Sequence, residues 1–294
     1  MHQLMNLALR LLLFLSASLV RAQSIDLGRD EIPVTLPAGY SQEVPTPLIV
    51  LLHGYTSSGA RVDANMGLSA IADDYGFLLV APNGTREATD RENSFWNASL
   101  ACCNFYQSDV DDSDYLLSVI TEMQSRYNVD PKRIFLVGHS NGGFMTYRMA
   151  YDHAETIAAI VSLAGADHPE RRTGPGAPVH VLQIHGTADA TIAYRGGEIR
   201  ENRYPGALTT VRRWAGYNRC DTRGRAREMR DLDASLPGYE TGVLRFNIGC
   251  KAGGSAELWT ISAGAHSPIY SDSYAEQVVE WLYAHPKPDT SAAD

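Results

Sequence analysis

Three residues of this 294-residue chain have the types and the order that nucleophilic acyl transfer requires. Ser140 lies in Gly138-His-Ser-Asn-Gly142, a G-x-S-x-G pentapeptide. The apolar run Ile134-Phe-Leu-Val137 precedes it, and the helical-looking stretch Phe144–Ala150 follows. A strand feeding a tight, glycine-flanked turn, with a helix starting at once, holds a serine hydroxyl clear of the backbone. The positive end of the helix lies beneath it. A hydroxyl attacks poorly until an imidazole takes its proton, and that imidazole needs a carboxylate to fix its tautomer. Both partners follow in sequence. Asp189 comes just after Val181-Leu-Gln-Ile-His-Gly186, 49 residues beyond the serine. His266 comes after Leu258-Trp-Thr-Ile261, in Gly264-Ala-His266, another 77 residues on. Alone, Asp189 reads as a turn carboxylate and His266 as a surface imidazole. Their order, each past the end of an apolar run, makes Ser140, Asp189 and His266 the expected nucleophile, acid and base.

A tetrahedral intermediate needs backbone N–H donors for its oxyanion. Asn141, directly after the nucleophile, supplies one. The second is expected from His53-Gly54-Tyr55-Thr56, where Gly54 permits a sharp bend; the Tyr55 amide is the candidate and Thr56 the alternative. The Tyr55 ring would also cover the acyl group. Trp96 is a candidate second wall of that pocket, although a tryptophan also serves as core. His53, His139 and His185 flank glycines or the serine itself and read as structural. Asp109, Asp111, Asp112 and Asp114 resemble a metal cluster but read as the capped start of a helix. No Cys/His spacing matches a metal site, and no metal or other cofactor is expected.

The elements that must hold these residues alternate. Leu48–Leu52, Phe77–Ala81, residues 134–138, Ile157–Leu163, His180–Ile184 and Glu257–Ser262 read as strands. Helices are expected at 66–75, 110–127, after Ser140, at 207–217 and at 273–284. About 25 residues follow Pro82-Asn-Gly84 before the next helix, a length that suggests function. This pattern predicts an α/β fold. Its sheet should be mostly parallel, with helices on both faces, in a single domain over residues 23–286 and a polar tail over 287–294.

The chain carries a net charge of −9 and has no basic block, which excludes nucleic acid as an expected partner. Arg10, the apolar run Leu11–Val20 and Val20-Arg21-Ala22 read as a secretory signal peptide over residues 1–22. The run is too short to span a bilayer, so the mature chain is expected to be exported and free of the membrane. Export makes the four cysteines disulfide candidates. Cys220 and Cys250, flanking 29 residues, are the favoured pair. The adjacent Cys102 and Cys103 leave three possibilities: a vicinal bridge, free thiols or cross-pairing.

Beyond the serine motif the chain resembles the secreted esterases that include polyhydroxybutyrate-depolymerase-like enzymes and feruloyl or acetylxylan esterases. The resemblance runs over residues 27–284, through Leu51-Leu-His-Gly54, Ala81-Pro-Asn-Gly84, Phe95-Trp-Asn97, Cys102-Cys103, Val110-Asp-Asp112 and Val129-Asp-Pro-Lys-Arg133. It continues through Ser140-Asn-Gly-Gly143, His185-Gly-Thr-Ala-Asp189, Tyr194-Arg-Gly-Gly197 and Gly264-Ala-His266. It implies an α/β-hydrolase fold and the triad Ser140, Asp189 and His266. Ser267-Pro268 replace the aromatic residue that family members often carry after the histidine, and no Thr- or Ser-rich linker leads to a substrate-binding domain. The expected function is a secreted serine esterase. A feruloyl, aryl or acetyl ester of plant cell-wall polysaccharide is the favoured substrate, with polyhydroxyalkanoate oligomers or another polyester as the alternative. A non-catalytic binding module on a hydrolase scaffold is the competing class; such modules commonly lose a triad member, and this chain keeps all three.

Overall fold

Leu48–Leu52 and Ile134–Val137 are apolar without alternation, which suits strands covered on both faces. A computed structural model describes residues 23–89 and 91–289. The expected leader and residues 290–294 of the expected tail lie outside the described residues. The first strands are β1 Ser24–Ile25, β2 Ile32–Thr35, β3 Thr46–Leu52, β4 Leu78–Val80, β5 Thr85–Arg86, β6 Ser94–Phe95 and β7 Val129–His139. The later ones are β8 Ala159–Leu163, β9 His180–Gly186, β10 Gly196–Ile199, β11 Asn202–Pro205, β12 Arg225–Arg230, β13 Thr241–Phe246 and β14 Ser255–Ile261. The α-helices are α1 Gly59–Met66, α2 Ala72–Tyr75, α3 Asp112–Arg126, α4 Asn141–Asp152, α5 Ala207–Tyr217 and α6 Tyr274–Tyr283.

Ten strands form one sheet in the order β1-β2-β4-β3-β7-β8-β9-β14-β13-β12. The six from β4 to β14 pair in parallel, and antiparallel strands extend both edges. Strand periodicity divides the core in two. Leu48, Val50, Leu52, Ile134 and Leu136 face one side, where α3, α4 and α5 bring Leu116, Met145, Trp214 and their neighbours. Ile49, Leu51, Phe135 and Val137 face the other, against Val62 and Met66 of α1 and Val278, Val279 and Leu282 of α6. Helices on both faces of a mostly parallel sheet are the α/β-hydrolase arrangement expected from the sequence.

One helix departs from expectation. The helix expected at 66–75 starts earlier, because Ser58 caps it by accepting from the Arg61 amide. It ends at Gly67, whose φ of 71° is left-handed. A 3-10 turn over Ser69–Ile71 and the short α2 complete the stretch. Both disulfides are intrachain: Cys220 pairs with Cys250, and Cys102 with Cys103.

Candidate active site

Strand β7 delivers Ser140 to a turn in which its φ and ψ are 56° and −118°. That strained conformation persists only because the surroundings impose it. A Cβ at Gly138 would stand 2.3 Å from the Gly142 carbonyl oxygen, and one at Gly142 would stand 2.2 Å from the Leu52 oxygen. Only glycine lets β3, β7 and α4 approach so closely. Helix α4 begins at Asn141, so its unsatisfied first-turn N–H groups and positive dipole end lie at the serine.

Asp189 follows β9, and His266 follows the neighbouring parallel strand β14. The two loops are stitched together: Thr187 N–H donates to Ile261 O, Ala188 N–H to Gly264 O, and Ala263 N–H to Thr187 Oγ1. This brings the three residues expected from the sequence into one hydrogen-bonded chain. His266 Nδ1 lies 2.8 Å from Asp189 Oδ2, and His266 Nε2 lies 2.9 Å from Ser140 Oγ. Asp189 Oδ1 accepts from the amides of Thr191 and Ile192, each at 2.8 Å. Burial pushes the Asp189 carboxyl up, but hydrogen bonds from His185, His266 and the Ile192 amide outweigh it and hold the group well below the usual carboxylate range. An ionised Asp189 can only accept, so His266 carries its proton on Nδ1 and leaves Nε2 free to accept from the serine.

The three remaining histidines around the site brace its loops. His53, fully buried, accepts from the Gly84 amide through Nε2 at 2.9 Å and so donates from Nδ1 to Gly54 O at 2.7 Å. Burial lowers its pKa. His185 Nε2 donates to Ile192 O at 2.8 Å and stands 3.3 Å from Asp189 Oδ2, steadying the acid loop. His139 Nε2 donates to the His266 carbonyl at 2.9 Å, and the two rings are 5.0 Å apart. Burial pushes His139 down to about 4. It therefore stays neutral near pH 7 and does not oppose a positive charge forming on His266.

The Thr56 amide is engaged with Ser94 O at 2.9 Å. Neither the Tyr55 nor the Asn141 amide has an acceptor among the described residues. These two N–H groups, one in the loop after β3 and one at the start of α4, are thus left without a protein acceptor. The Tyr55 hydroxyl donates to the buried Glu87 at 2.5 Å, and its ring meets Phe105 edge-on with centroids 5.2 Å apart. Burial and Glu87 together push that hydroxyl up to about 12. The expectation that Trp96 walls a pocket is corrected here. Its ring is fully buried, so no substrate can lie against it. An indole taken out of water needs a partner for its N–H, and Trp96 Nε1 finds one in the His53 carbonyl at 3.0 Å.

Sequence reasoning missed Phe105 and Arg200. The Arg200 guanidinium lies 4.2 Å over the Phe105 ring and donates to Phe105 O at 3.3 Å, so the β10–β11 hairpin meets the Cys102-Cys103 loop beside Tyr55. No local signal connects residues 95 positions apart. A cleft of about 410 Å3 reaches the serine turn between Gly54, Val62, Asn65, His139 and Ser267–Tyr270. The acidic group at 109–114 is structural: Asp111 caps α3, and the buried Asp112 pairs with Arg29 and accepts from Thr85 and the Asn97 amide. Among the described residues no three His, Cys, Asp or Glu side chains gather as a metal site would require.

Comparison with known proteins finds esterases. A putative esterase, NocK, of Nocardia uniformis subsp. tsuyamanensis is 32% identical over 144 residues, covering 49% of this chain and 40% of that protein. Feruloyl esterase B of Piromyces equi is 26% identical over 243 residues, covering 80% of this chain and 42% of that protein. The chain thus spans about two fifths of the length of these relatives. The structure of an acetyl xylan esterase from Aspergillus awamori superposes with a TM-score of 0.62 over 89% of this chain and 98% of that one, at 16% identity, a likeness of fold. The phospholipase/carboxylesterase family model matches residues 40–236, which include Ser140 and Asp189 and stop short of His266. The chain therefore belongs to the phospholipase/carboxylesterase family of α/β-hydrolase-fold carboxylic ester hydrolases.

Proposed function

We propose that this protein is a secreted serine esterase that cleaves a feruloyl, other aryl or acetyl ester of plant cell-wall polysaccharide through an acyl-enzyme. The observation that carries the reading is the continuous chain from Asp189 through His266 to Ser140, at 2.8 and 2.9 Å, with two unpaired backbone N–H groups beside it. In the first half-reaction Ser140 Oγ attacks the ester carbonyl while His266 Nε2 takes its proton. The carbonyl oxygen becomes an oxyanion that accepts from the Tyr55 and Asn141 amides. Collapse expels the alcohol, which leaves with the proton from Nε2. Water then attacks the acyl-serine by the same route, and the acid is released. Asp189 holds the His266 tautomer and stabilises the imidazolium throughout, without itself taking the proton.

The aromatic ledge of Tyr55 and Phe105 beneath Arg200 supports an aryl acyl group. The cleft that opens beside His139 and the residues after His266 suits the departing alcohol. Its lining, with Ser57, Asn65 and Ser267, carries no charged side chain, which favours a neutral hydroxylated alcohol. The two disulfides support an oxidising destination outside the cytosol.

The test is a panel of p-nitrophenyl acyl esters, methyl ferulate, acetylated xylan and 3-hydroxybutyrate oligomers, run with Ser140→Ala as control. Turnover of methyl ferulate or acetylated xylan that disappears in the variant is expected. Hydrolysis that survives Ser140→Ala would remove the serine mechanism. Release from hydroxybutyrate oligomers with negligible turnover of the other natural esters would replace the substrate class and leave the mechanism in place.

A further inference from the structure

Between them, the two candidate oxyanion donors belong to segments 86 residues apart in sequence, and a third segment grips both. The Trp96 peptide faces the Asn141 side chain in a two-point contact: Trp96 N–H donates to Asn141 Oδ1 at 2.7 Å, and Asn141 Nδ2 donates to Trp96 O at 2.9 Å. Both residues are fully buried. The same tryptophan reaches the other donor's loop through its indole, donating from Nε1 to His53 O at 3.0 Å. Its ring lies 5.1 Å from the His53 ring. That imidazole in turn holds Gly54 O at 2.7 Å. Two residues before Trp96, in β6, Ser94 O accepts from Thr56 N–H. The Tyr55 amide is therefore bracketed by hydrogen bonds to the residues on both sides of it, and is itself left free.

We propose that Trp96 is a positioning residue that sets the spacing and aim of the two oxyanion donors, its peptide fixing Asn141 and its indole N–H fixing the loop that carries Tyr55. The proposal rests on the serine esterase reading. Its physical basis is that buried amides and indoles must be paired, so every member of this network has one geometry in which all of them are satisfied. Oxyanion stabilisation depends on donors lying about 2.7–3.1 Å from where the oxyanion will form. A loop displaced by a fraction of an ångström loses transition-state contact while substrate affinity is scarcely changed.

The test is Trp96→Phe, which keeps most of the ring's packing and the Trp96 peptide contact and removes only the indole N–H. Loss of a whole oxyanion donor lowers kcat about 10²–10³-fold; a misaimed donor should lower it by roughly 10- to 100-fold. On p-nitrophenyl butyrate we expect that fall in kcat with KM within about threefold of wild type. The inhibition constant of 1-butaneboronic acid, whose serine adduct mimics the tetrahedral intermediate, should weaken by a similar factor. Asn141→Asp keeps the acceptor for Trp96 N–H and loses the donor to Trp96 O. It should show the same split, and it serves as the test if Trp96→Phe does not fold. Variants that fold and lose activity only through KM, or that keep wild-type boronate affinity, would overturn the proposal. Wild-type hydrolysis that neither boronate nor Ser140→Ala abolishes would instead overturn the esterase reading beneath it.

Discussion

Replacing Asp189 with asparagine changes one oxygen for an NH2 group, and the surroundings dictate which one. Oδ1 accepts from two backbone amides, Thr191 and Ile192, both at 2.8 Å. Placing the NH2 group there would set donors against donors in a site with no exposed side-chain surface, at about 1–3 kcal/mol for each lost bond. The amide oxygen therefore stays on the two N–H groups and the NH2 group faces His266. An NH2 group donates, so His266 must present Nδ1 as an acceptor and move its proton to Nε2. That nitrogen, 2.9 Å from Ser140 Oγ, then has no lone pair to take the serine's proton. The wrong tautomer costs such a site about 10⁴ in kcat, or roughly 5.4 kcal/mol of transition-state stabilisation. Asp189 faces the histidine, so KM should stay within about threefold of wild type. The assay is steady-state hydrolysis of p-nitrophenyl acetate by Asp189→Asn, with thermal unfolding followed by circular dichroism to establish that the variant is folded. A folded Asp189→Asn protein turning over within tenfold of wild type would refute the tautomer argument and require another carboxylate to orient His266.

Two further outcomes concern stability. Removing the Cys220–Cys250 bridge, which closes a loop of 29 intervening residues, should cost about 3–4 kcal/mol through the unfolded chain, lowering Tm by roughly 10 °C. Thermal scans of the Cys220→Ala/Cys250→Ala double variant test this, and an unchanged Tm would sink it. Burial pushes His139 down to about 4, and burial with the neighbouring His285 pushes His180 down to about 3, whereas in the unfolded chain histidine titrates near 6.5. Over the window between those values the unfolded chain binds more protons than the folded one, so stability rises with pH and is complete above about 6.5. It is lost as pH falls from about 6.5 towards 4, and urea unfolding across pH 4–8 should show that slope reduced in His180→Gln. A flat profile over this interval would contradict the assignment of these histidines as buried and neutral.

What the sequence revealed follows from how each element is buried. The central strands β3 and β7 are covered on both faces, so their inner stretches Leu48–Leu52 and Ile134–Val137 are written as unbroken apolar runs. The edge strand β12 is Arg-Ala-Arg-Glu-Met-Arg, whose charges belong on an exposed sheet edge and whose sequence therefore carries no core signal. The β10–β11 hairpin turns through Arg200 and Glu201, both at positive φ, without the glycine or asparagine that usually announces such a turn. Ser140, Asp189 and His266, which the structure joins by hydrogen bonds, stood out because an acyl-transfer site would require those residue types at strand ends. Phe105 and Arg200 did not, because Phe105 meets Tyr55, and Arg200 meets Phe105, only through tertiary contact.

Asn141 shows how much of a residue's part in a motif lies outside what its position suggests. In the sequence its value lies in its position, one residue past the serine, where any amino acid but proline would offer the same backbone N–H. In the structure its side chain is fully buried and makes two hydrogen bonds, both to the peptide of Trp96. A hydrophobic residue of similar size would supply the same N–H to the oxyanion but leave the Trp96 N–H and C=O buried without partners. Trp96 presents the converse case: a large aromatic ring in a long loop suggests substrate contact, yet its indole N–H and peptide are used to join two loops. Together they join the loop after β3 to the first turn of α4, so the arrangement follows from where buried polar groups find partners.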